Sequence, residues 1–373
     1  MERFQKKAIL ADLNKKMVLL SGPRQAGKTT LAKEIGAHFS SSIYLNYDRL
    51  EDRKILKQEA WLPTTELLIF DELHKMPKWK NYLKGVYDTK LPSQKILVTG
   101  SARLEVFQQV GDSLAGRFFL HRLLPLSPAE CLKVGTPFPI TRFLERGGFP
   151  EPFLAEDPVD SERWRLQYVD SLLRVDVLEF DNIQNLKAIQ LLFTLLRERV
   201  GSPVSYQSLS EDIGVSPNTV KKYIQILEAL YIVFRVTPFS KNIARSLLKE
   251  PKIYFFDTGL VVGDSGARFE NFIALSLLKH TYAKVDYEAK LYTLHYLSTK
   301  ERQEVDFALV NNKTVETIIE TKYHDTQISP SLRHFHEKYN FKAVQVVESC
   351  KREYVDKKIE VLSGKTLTES LFL

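Results

Sequence analysis

Residues 17–36 read MVLLSGPRQAGKTTLAKEIG. Five apolar-rich residues (17–21) run into a glycine-bounded loop, GPRQAGKT (22–29), and the loop runs into a helical pattern. The loop fits G-x-x-x-x-G-K-[ST] at every fixed position, in the strand–loop–helix context that motif requires. Its glycines, Gly22 and Gly27, let backbone N–H groups wrap phosphates, and Lys28 is placed to reach the β- and γ-phosphates. The Thr29 hydroxyl is a ligand for Mg²⁺, and Thr30 follows it on the first helical turn. ATP and Mg²⁺ are therefore the expected cofactors.

Working outward, SIYLNYD (42–48), LLIFDE (67–72) and KILVTGS (95–101) are further short apolar runs that end in polar residues. Such runs, separated by helical stretches, predict a parallel sheet covered on both faces, with ligands bound beyond the carboxyl ends of its strands. Asp71 emerges from its buried run to complete a Mg²⁺ shell, and Glu72 is placed to polarise the attacking water. Ser101 is a candidate to touch the γ-phosphate or that water. Arg117, in GDSLAGR (111–117), is a candidate to stabilise transition-state charge in its own subunit's site or a neighbour's; the competing reading is a surface ion pair.

Farther along, 125–160 is rich in proline and glycine and predicts a lid or junction; helical patterning takes over from Trp164 to Arg199. LSEDIGVSPNTVKKYIQILEALYIVFRV (209–236) carries a helix–turn–helix pattern. Gly214 makes the turn, Ser216 is the N-cap, and Pro217 opens the second helix, where its missing N–H does no harm. Val220, Ile224, Leu227 and Leu230 form its buried stripe, leaving Asn218, Thr219, Lys221, Lys222 and Gln225 as candidate DNA contacts. With no arginine to read guanine, backbone contact is expected over sequence reading. Lys241, Arg245, Lys249 and Lys252 follow as a second basic group, read equally as phosphate-binding or as a solvated face.

EVDFALVNNKTVETIIETKYH (304–324) predicts a β-hairpin in which Glu320 and Lys322 share a face. A three-residue loop puts Asp306 on that face. A two-residue loop puts it on the other, unless a bulge restores it. Asp306, Glu320 and Lys322 on one face suit metal-dependent phosphodiester cleavage, with the carboxylates as ligands and Glu270 as a fourth candidate; the competing reading is an exposed charged hairpin.

Composition is that of an ordinary globular protein, with Lys+Arg 53 against Asp+Glu 46, a net charge of +7 that is compatible with nucleic acid without demanding it. Two distant cysteines, Cys131 and Cys350, disfavour a disulfide framework or zinc site and suit a reducing cytoplasm. No apolar run approaches the roughly 20 residues a membrane helix needs.

In order, GPRQAGKTT, LLIFDELHK, the TGS strand, SLAGR, GGFPEP, the helix through Thr219, Val220 and Tyr223, KIYFFDTGL (252–260), FEN (269–271), EVDF and IETK span almost the whole chain. In this order the sequence resembles bacterial and archaeal AAA-type ATP-binding proteins with a C-terminal domain of unknown function 4143. The resemblance implies an α/β chain: a P-loop AAA-type parallel-sheet domain (1–130) and a lid or helical junction (131–190). An all-α/winged-helix domain (191–262) and an α/β PD-(D/E)xK nuclease-like domain (263–373) follow. It maps Lys28, Thr29, Asp71 and Glu72 to the ATP site, and Asp306, Glu320 and Lys322 to a nuclease-like triad with Glu270 as the helix acid. The AAA resemblance and a trans-acting Arg117 imply a homo-oligomer, a hexameric ring. A motor-like domain combined with a winged helix and a nuclease-like fold makes the expected function that of a cytoplasmic DNA-stimulated ATPase acting on branched or repair-type DNA, including single-strand/duplex junctions, with metal-dependent nuclease activity as an open addition. The rival reading is a nucleotide-controlled switch or scaffold that holds DNA or protein without motor or nuclease activity.

Overall fold

A computed structural model describes residues 2–100, 114–177, 185–240, 250–299, 301 and 303–373. The chain divides into two compact units, Met1–Leu124 and Pro125–Leu373.

In the first unit, β1 (Met17–Ser21), β2 (Ser42–Asn46), β3 (Leu67–Asp71), β4 (Lys95–Thr99) and β5 (Phe118–Arg122) form one sheet in the order β2-β3-β4-β1-β5. Every pairing in it is parallel. The apolar runs alternate between two cores. Met17, Leu19, Leu68, Phe70, Ile96 and Val98 pack on one face with Trp79, Leu83 and Val86 of the Trp79–Thr89 helix. Val18, Leu20, Leu67, Ile69 and Leu97 pack on the other with Leu31, Ala32 and Ile35 of the Lys28–Gly36 helix. Burial on both faces is why these strands read as continuous apolar runs. The parallel arrangement brings the carboxyl ends of β1, β3 and β4 together, so the phosphate loop, Asp71 and Thr99 meet at one edge.

The second unit opens with short helices, Pro128–Lys133, Ile140–Arg146 and Pro150–Leu154, where proline and glycine cluster in the sequence, then Pro158–Ser171 and Leu186–Glu198. The helix–turn–helix follows as Tyr206–Ile213 and Pro217–Ala229, with Gly214 left-handed at φ 68° between them. The Ser216 Oγ accepts from the Thr219 backbone N–H at 3.1 Å, the N-cap expected there. Val220, Ile224 and Leu227 are fully buried and Leu230 nearly so, matching the expected stripe.

An eight-stranded sheet completes this unit. It comprises β6 (Val233–Pro238), β7 (Lys252–Phe255), β8 (Tyr292–Ser298), β9 (Glu304–Asn311), β10 (Thr314–Lys322), β11 (Lys342–Val347), β12 (Tyr354–Asp356) and β13 (Ile359–Ser363), in the order β12-β13-β11-β10-β9-β8-β6-β7. The two strands that follow the helix–turn–helix, β6 and β7, thus belong to the same sheet as the C-terminal hairpin. They bring Lys252 into the neighbourhood of Asp306, 54 residues away in sequence.

The hairpin loop settles the two readings of its register. Its turn is two residues, Asn312 and Lys313, both left-handed at φ 45° and 68°. An extra residue, Glu316, then bulges from β10, since Val315 faces Val310 and Thr317 faces Leu309. The pairing continues through Ile319 opposite Phe307, so the next step sets Glu320 opposite Asp306. The bulge restores what a two-residue loop would otherwise lose.

Candidate functional site

The phosphate loop owes its shape to backbone angles that only some residues tolerate. Gly22 sits at φ 146° with its Cα so close to β5 that a Cβ would lie 2.2 Å from the Leu123 carbonyl oxygen. Gly27 caps the following helix at φ 94°. The Lys28 ammonium is buried and donates to the carbonyls of Gly22 at 2.9 Å and Pro23 at 2.6 Å. Burial pulls its pKa down to about 8, with Arg24 adding to the fall while Glu72 and Asp71 oppose it. A desolvated cation held within the loop is what an incoming polyphosphate would draw outward.

Asp71 ends β3 almost fully buried and collects three hydroxyls. Thr29 donates to its Oδ2 at 3.0 Å, Tyr44 donates to the same oxygen at 2.5 Å, and Thr99 donates to Oδ1. The Thr29 hydroxyl and the Asp71 carboxylate are hard oxygens one hydrogen bond apart, a pair that fits Mg²⁺ bound alongside nucleotide phosphates. A bound Mg²⁺ would supply charge neutralisation of those phosphates. Glu72 adopts a left-handed conformation, φ 56°, fixed by its N–H donating to the Thr99 carbonyl at 3.0 Å. Its carboxylate lies 3.4 Å from His74 Nε2. Burial, then the Asp71 charge, raises its pKa, as suits a group that handles a proton from water. Thr30 is exposed on the first helical turn.

A second constellation lies in the C-terminal sheet. Glu270, on the Ser265–Glu288 helix, accepts from the Tyr254 hydroxyl at 2.7 Å. Asp306 accepts from the Thr321 N–H at 2.9 Å and hydroxyl at 2.7 Å. Lys322 pairs with Glu320 Oε1 at 2.9 Å. At the centre is Lys252, 1% exposed, with Nζ 2.9 Å from Glu304, 3.2 Å from Asp306 and 3.6 Å from Glu270. Burial would depress its ammonium, but Asp306, Glu270 and Glu304 outweigh that and raise its pKa. Burial and the Asp306 charge push Glu270 up to about 8, and the same two causes raise Glu320. Burial would also lower Lys322, but Glu320, Asp306 and Glu270 raise it.

Lys252 is therefore neither a phosphate contact nor part of a solvated face; the attraction of three carboxylates holds it inside. Among the described residues no three His, Cys, Asp or Glu side chains are placed to hold a metal ion. Asp306 faces the Lys252 ammonium and Glu320 that of Lys322. Lys241, Arg245 and Lys249 lie outside the described residues. On the Pro217–Ala229 helix, Asn218, Lys221, Lys222 and Gln225 are exposed, while Thr219 is half-buried and engaged with Ser216.

Three family models match the chain. An AAA domain matches residues 14–132, a domain of unknown function (DUF8612) matches 139–268, and the domain of unknown function 4143 matches 265–367. The chain thus carries an AAA domain and a C-terminal domain of unknown function 4143. An uncharacterized protein of Mycobacterium tuberculosis is 30% identical over 250 residues, 66% of this chain and 55% of the relative. The chain thus matches about half the length of that relative. An uncharacterized protein of Methanocaldococcus jannaschii is 25% identical over 331 residues, covering 79% of this chain and 72% of the relative. Among solved structures, a Walker-type ATPase of Pyrococcus abyssi aligns at a TM-score of 0.44 and 14% identity, over 72% of this chain and 95% of that one.

Within the AAA domain, Lys28, Thr29, Asp71 and Glu72 converge beyond the strand ends. Arg117 does not join them. It precedes β5, its carbonyl accepting from the Met17 N–H at the amino end of β1. The five residues of β1 separate it from the phosphate loop by roughly 16 Å at the usual strand rise. Its guanidinium makes a bidentate ion pair with Asp88, at 2.9 and 3.1 Å. Arg117 thus lies away from its own subunit's phosphate loop, because parallel strands put their two ends far apart. Ser101 lies outside the described residues.

Tyr44 is the AAA-domain residue that the sequence reading missed. Its signal was weak: a tyrosine in the strand beside the LLIFD strand. Burial and the Asp71 carboxylate push the Tyr44 hydroxyl up to about 12, so it stays a donor. Tyr44→Phe removes one hydrogen bond to a charged acceptor, worth about 1.5–3 kcal/mol. Asp71 then loses an anchor, and the Mg²⁺ concentration for half-maximal ATP turnover is expected to rise about tenfold. An unchanged Mg²⁺ titration would make Tyr44 a packing residue.

Proposed function

We propose that this protein is a DNA-stimulated ATPase that acts on branched or repair-type DNA as a ring-like homo-oligomer in the cytoplasm. The observation that carries the proposal is the joint presence of two features in one chain. One is a complete phosphate loop with its Mg²⁺-side carboxylate and a left-handed Glu72. The other is a helix–turn–helix whose second helix exposes Asn218, Lys221, Lys222 and Gln225 above a buried stripe. Lys28 holds the phosphates, Thr29 and Asp71 hold the metal, and Glu72 takes the proton of the attacking water. Arg117, remote from its own phosphate loop, serves the neighbouring subunit's site in a ring.

For the C-terminal domain, the ammonium at the centre of the carboxylates disfavours metal-dependent cleavage. That same feature supports the second reading, a nucleotide-controlled switch in which ATP sets conformation and no strand is displaced or cleaved.

ATP turnover across single-stranded, duplex, forked and four-way DNAs separates these readings. Strong stimulation is expected, greatest with the forked or four-way forms; slow turnover indifferent to every DNA would favour the switch. Lys221→Ala with Lys222→Ala should weaken binding to all these DNAs alike. The salt dependence of binding should become shallower by roughly one unit of slope for each phosphate no longer neutralised. Unchanged affinity and slope would reassign the helix to protein contact.

A further inference from the structure

The Gln5–Asp12 helix buries two residues, Gln5 and Ile9, one turn apart on the same face. Ile9 packs with Leu31, Ala32 and Ile35 of the Lys28–Gly36 helix. Gln5 carries a primary amide into the same interior. It is 0% exposed, and neither its Oε1 nor its Nε2 has a hydrogen-bond partner among the described residues. Buried amides are paired in folded proteins, and one left unpaired at both atoms destabilises the fold that holds it. An amide kept at that cost points to a partner from outside the chain.

Its place in the first unit says which partner. Arg3, just ahead of Gln5, is almost fully buried and donates from Nη1 to the Ala26 carbonyl at 2.8 Å and from Nη2 to the Leu124 carbonyl at 2.6 Å. Ala26 and Gly27 form the helix end of the phosphate loop, and a Cβ on Gly27 would stand 3.8 Å from the same Nη1. The segment that carries Gln5 is thus fastened to the loop where the Lys28–Gly36 helix begins. A nucleotide whose terminal phosphates fill the loop trails its α-phosphate and base past that end.

We propose that Gln5 reads the base of the bound nucleotide, pairing with the N6/N7 edge of adenine. Its Oε1 accepts from the 6-amino group and its Nε2 donates to N7, the two-bond contact by which a glutamine amide recognises adenine. In the usual anti conformer that edge is turned toward the 5′-phosphates, and so toward the loop. Guanine presents two acceptors there, O6 and N7, so one atom of the amide stays unpaired and the base is disfavoured. The inference rests on the reading of the loop as an ATP site and goes beyond it. Lys28, Thr29 and Asp71 serve phosphates and metal, which every nucleoside triphosphate shares.

The test is calorimetric binding of ADP, GDP and 7-deaza-ADP to the full chain with Mg²⁺; diphosphates keep a phosphate in the loop without turnover. Wild type is expected to bind ADP at least about tenfold tighter than GDP, the usual worth of a two-bond base contact. It should also prefer ADP to 7-deaza-ADP, which lacks only the N7 acceptor. Gln5→Met, close in size but apolar, should lose both preferences, chiefly by weakening ADP. Its Tm without nucleotide should stay at or above that of wild type, because the fold loses an amide that it does not pair. Equal affinity of wild type for ADP and GDP would overturn the proposal and leave the loop's reading intact. So would a Gln5→Met chain that weakens all three alike or melts below wild type, since the amide would then serve the fold. Wild type that binds none of the three would overturn the ATP reading, and the proposal with it.

Discussion

Lys28→Ala is expected to lower ATP turnover by about 10²–10³-fold, the usual loss when one preorganised charge facing the transition state is removed. The Lys28 ammonium donates to two carbonyls of the phosphate loop and is already desolvated within it. Its stabilisation of developing γ-phosphate charge is not replaced by alanine. Glu72→Gln should separate binding from chemistry. Asp71 keeps its three hydroxyl donors, so nucleotide and Mg²⁺ should still bind, while the proposed acceptor of the water proton is gone. Nucleotide affinity near wild type with turnover down by a similar factor is the expected pattern. Near-wild-type hydrolysis in either variant would overturn the assignment of the site.

Gly22→Ala should damage the same site by a different route. The new Cβ would meet the Leu123 carbonyl oxygen at 2.2 Å and its carbon at 3.0 Å, atoms fixed in the chain that follows β5. The residue also sits at φ 146°, where an L side chain is strained. Strain of this kind costs about 1–3 kcal/mol, and overpacking costs about 1–3 kcal/mol more. Both a lower urea midpoint and loss of nucleotide binding are expected. Gly85→Ala is the contrast. That glycine lies in the Trp79–Thr89 helix with open space where a Cβ would stand. There alanine should be neutral or gain up to about 1 kcal/mol of helix propensity. Equal urea midpoints for the two variants would show that the Leu123 contact does not constrain the loop.

Much of the chain was legible because it is written in local pattern. The phosphate loop needs its glycines, lysine and threonine at fixed spacing, since backbone geometry over eight residues builds the cradle. The parallel strands announce themselves as apolar runs because both their faces are buried. The helix–turn–helix shows in a left-handed Gly214, a Ser216 cap and a stripe at helical period, each a property of a few consecutive residues. Even the hairpin was legible up to one ambiguity, because a bulge such as the one at Glu316 leaves no mark in composition.

The sequence by itself thus determined the nucleotide site, the strand ends that carry Asp71 and Glu72, and the exposed face of the Pro217–Ala229 helix. Tertiary structure alone decided that Arg117 stands at the far end of the sheet, paired with Asp88. It alone brought the Tyr44 hydroxyl onto Asp71 from 27 residues away. It also turned Lys252 from a member of a basic run into the buried cation among Glu270, Glu304 and Asp306. The reason is physical. Periodicity and spacing constrain a residue only relative to neighbours within a turn or two of chain. The fate of a charge depends instead on which distant carboxylates the sheet order places around it, and on whether water can reach them.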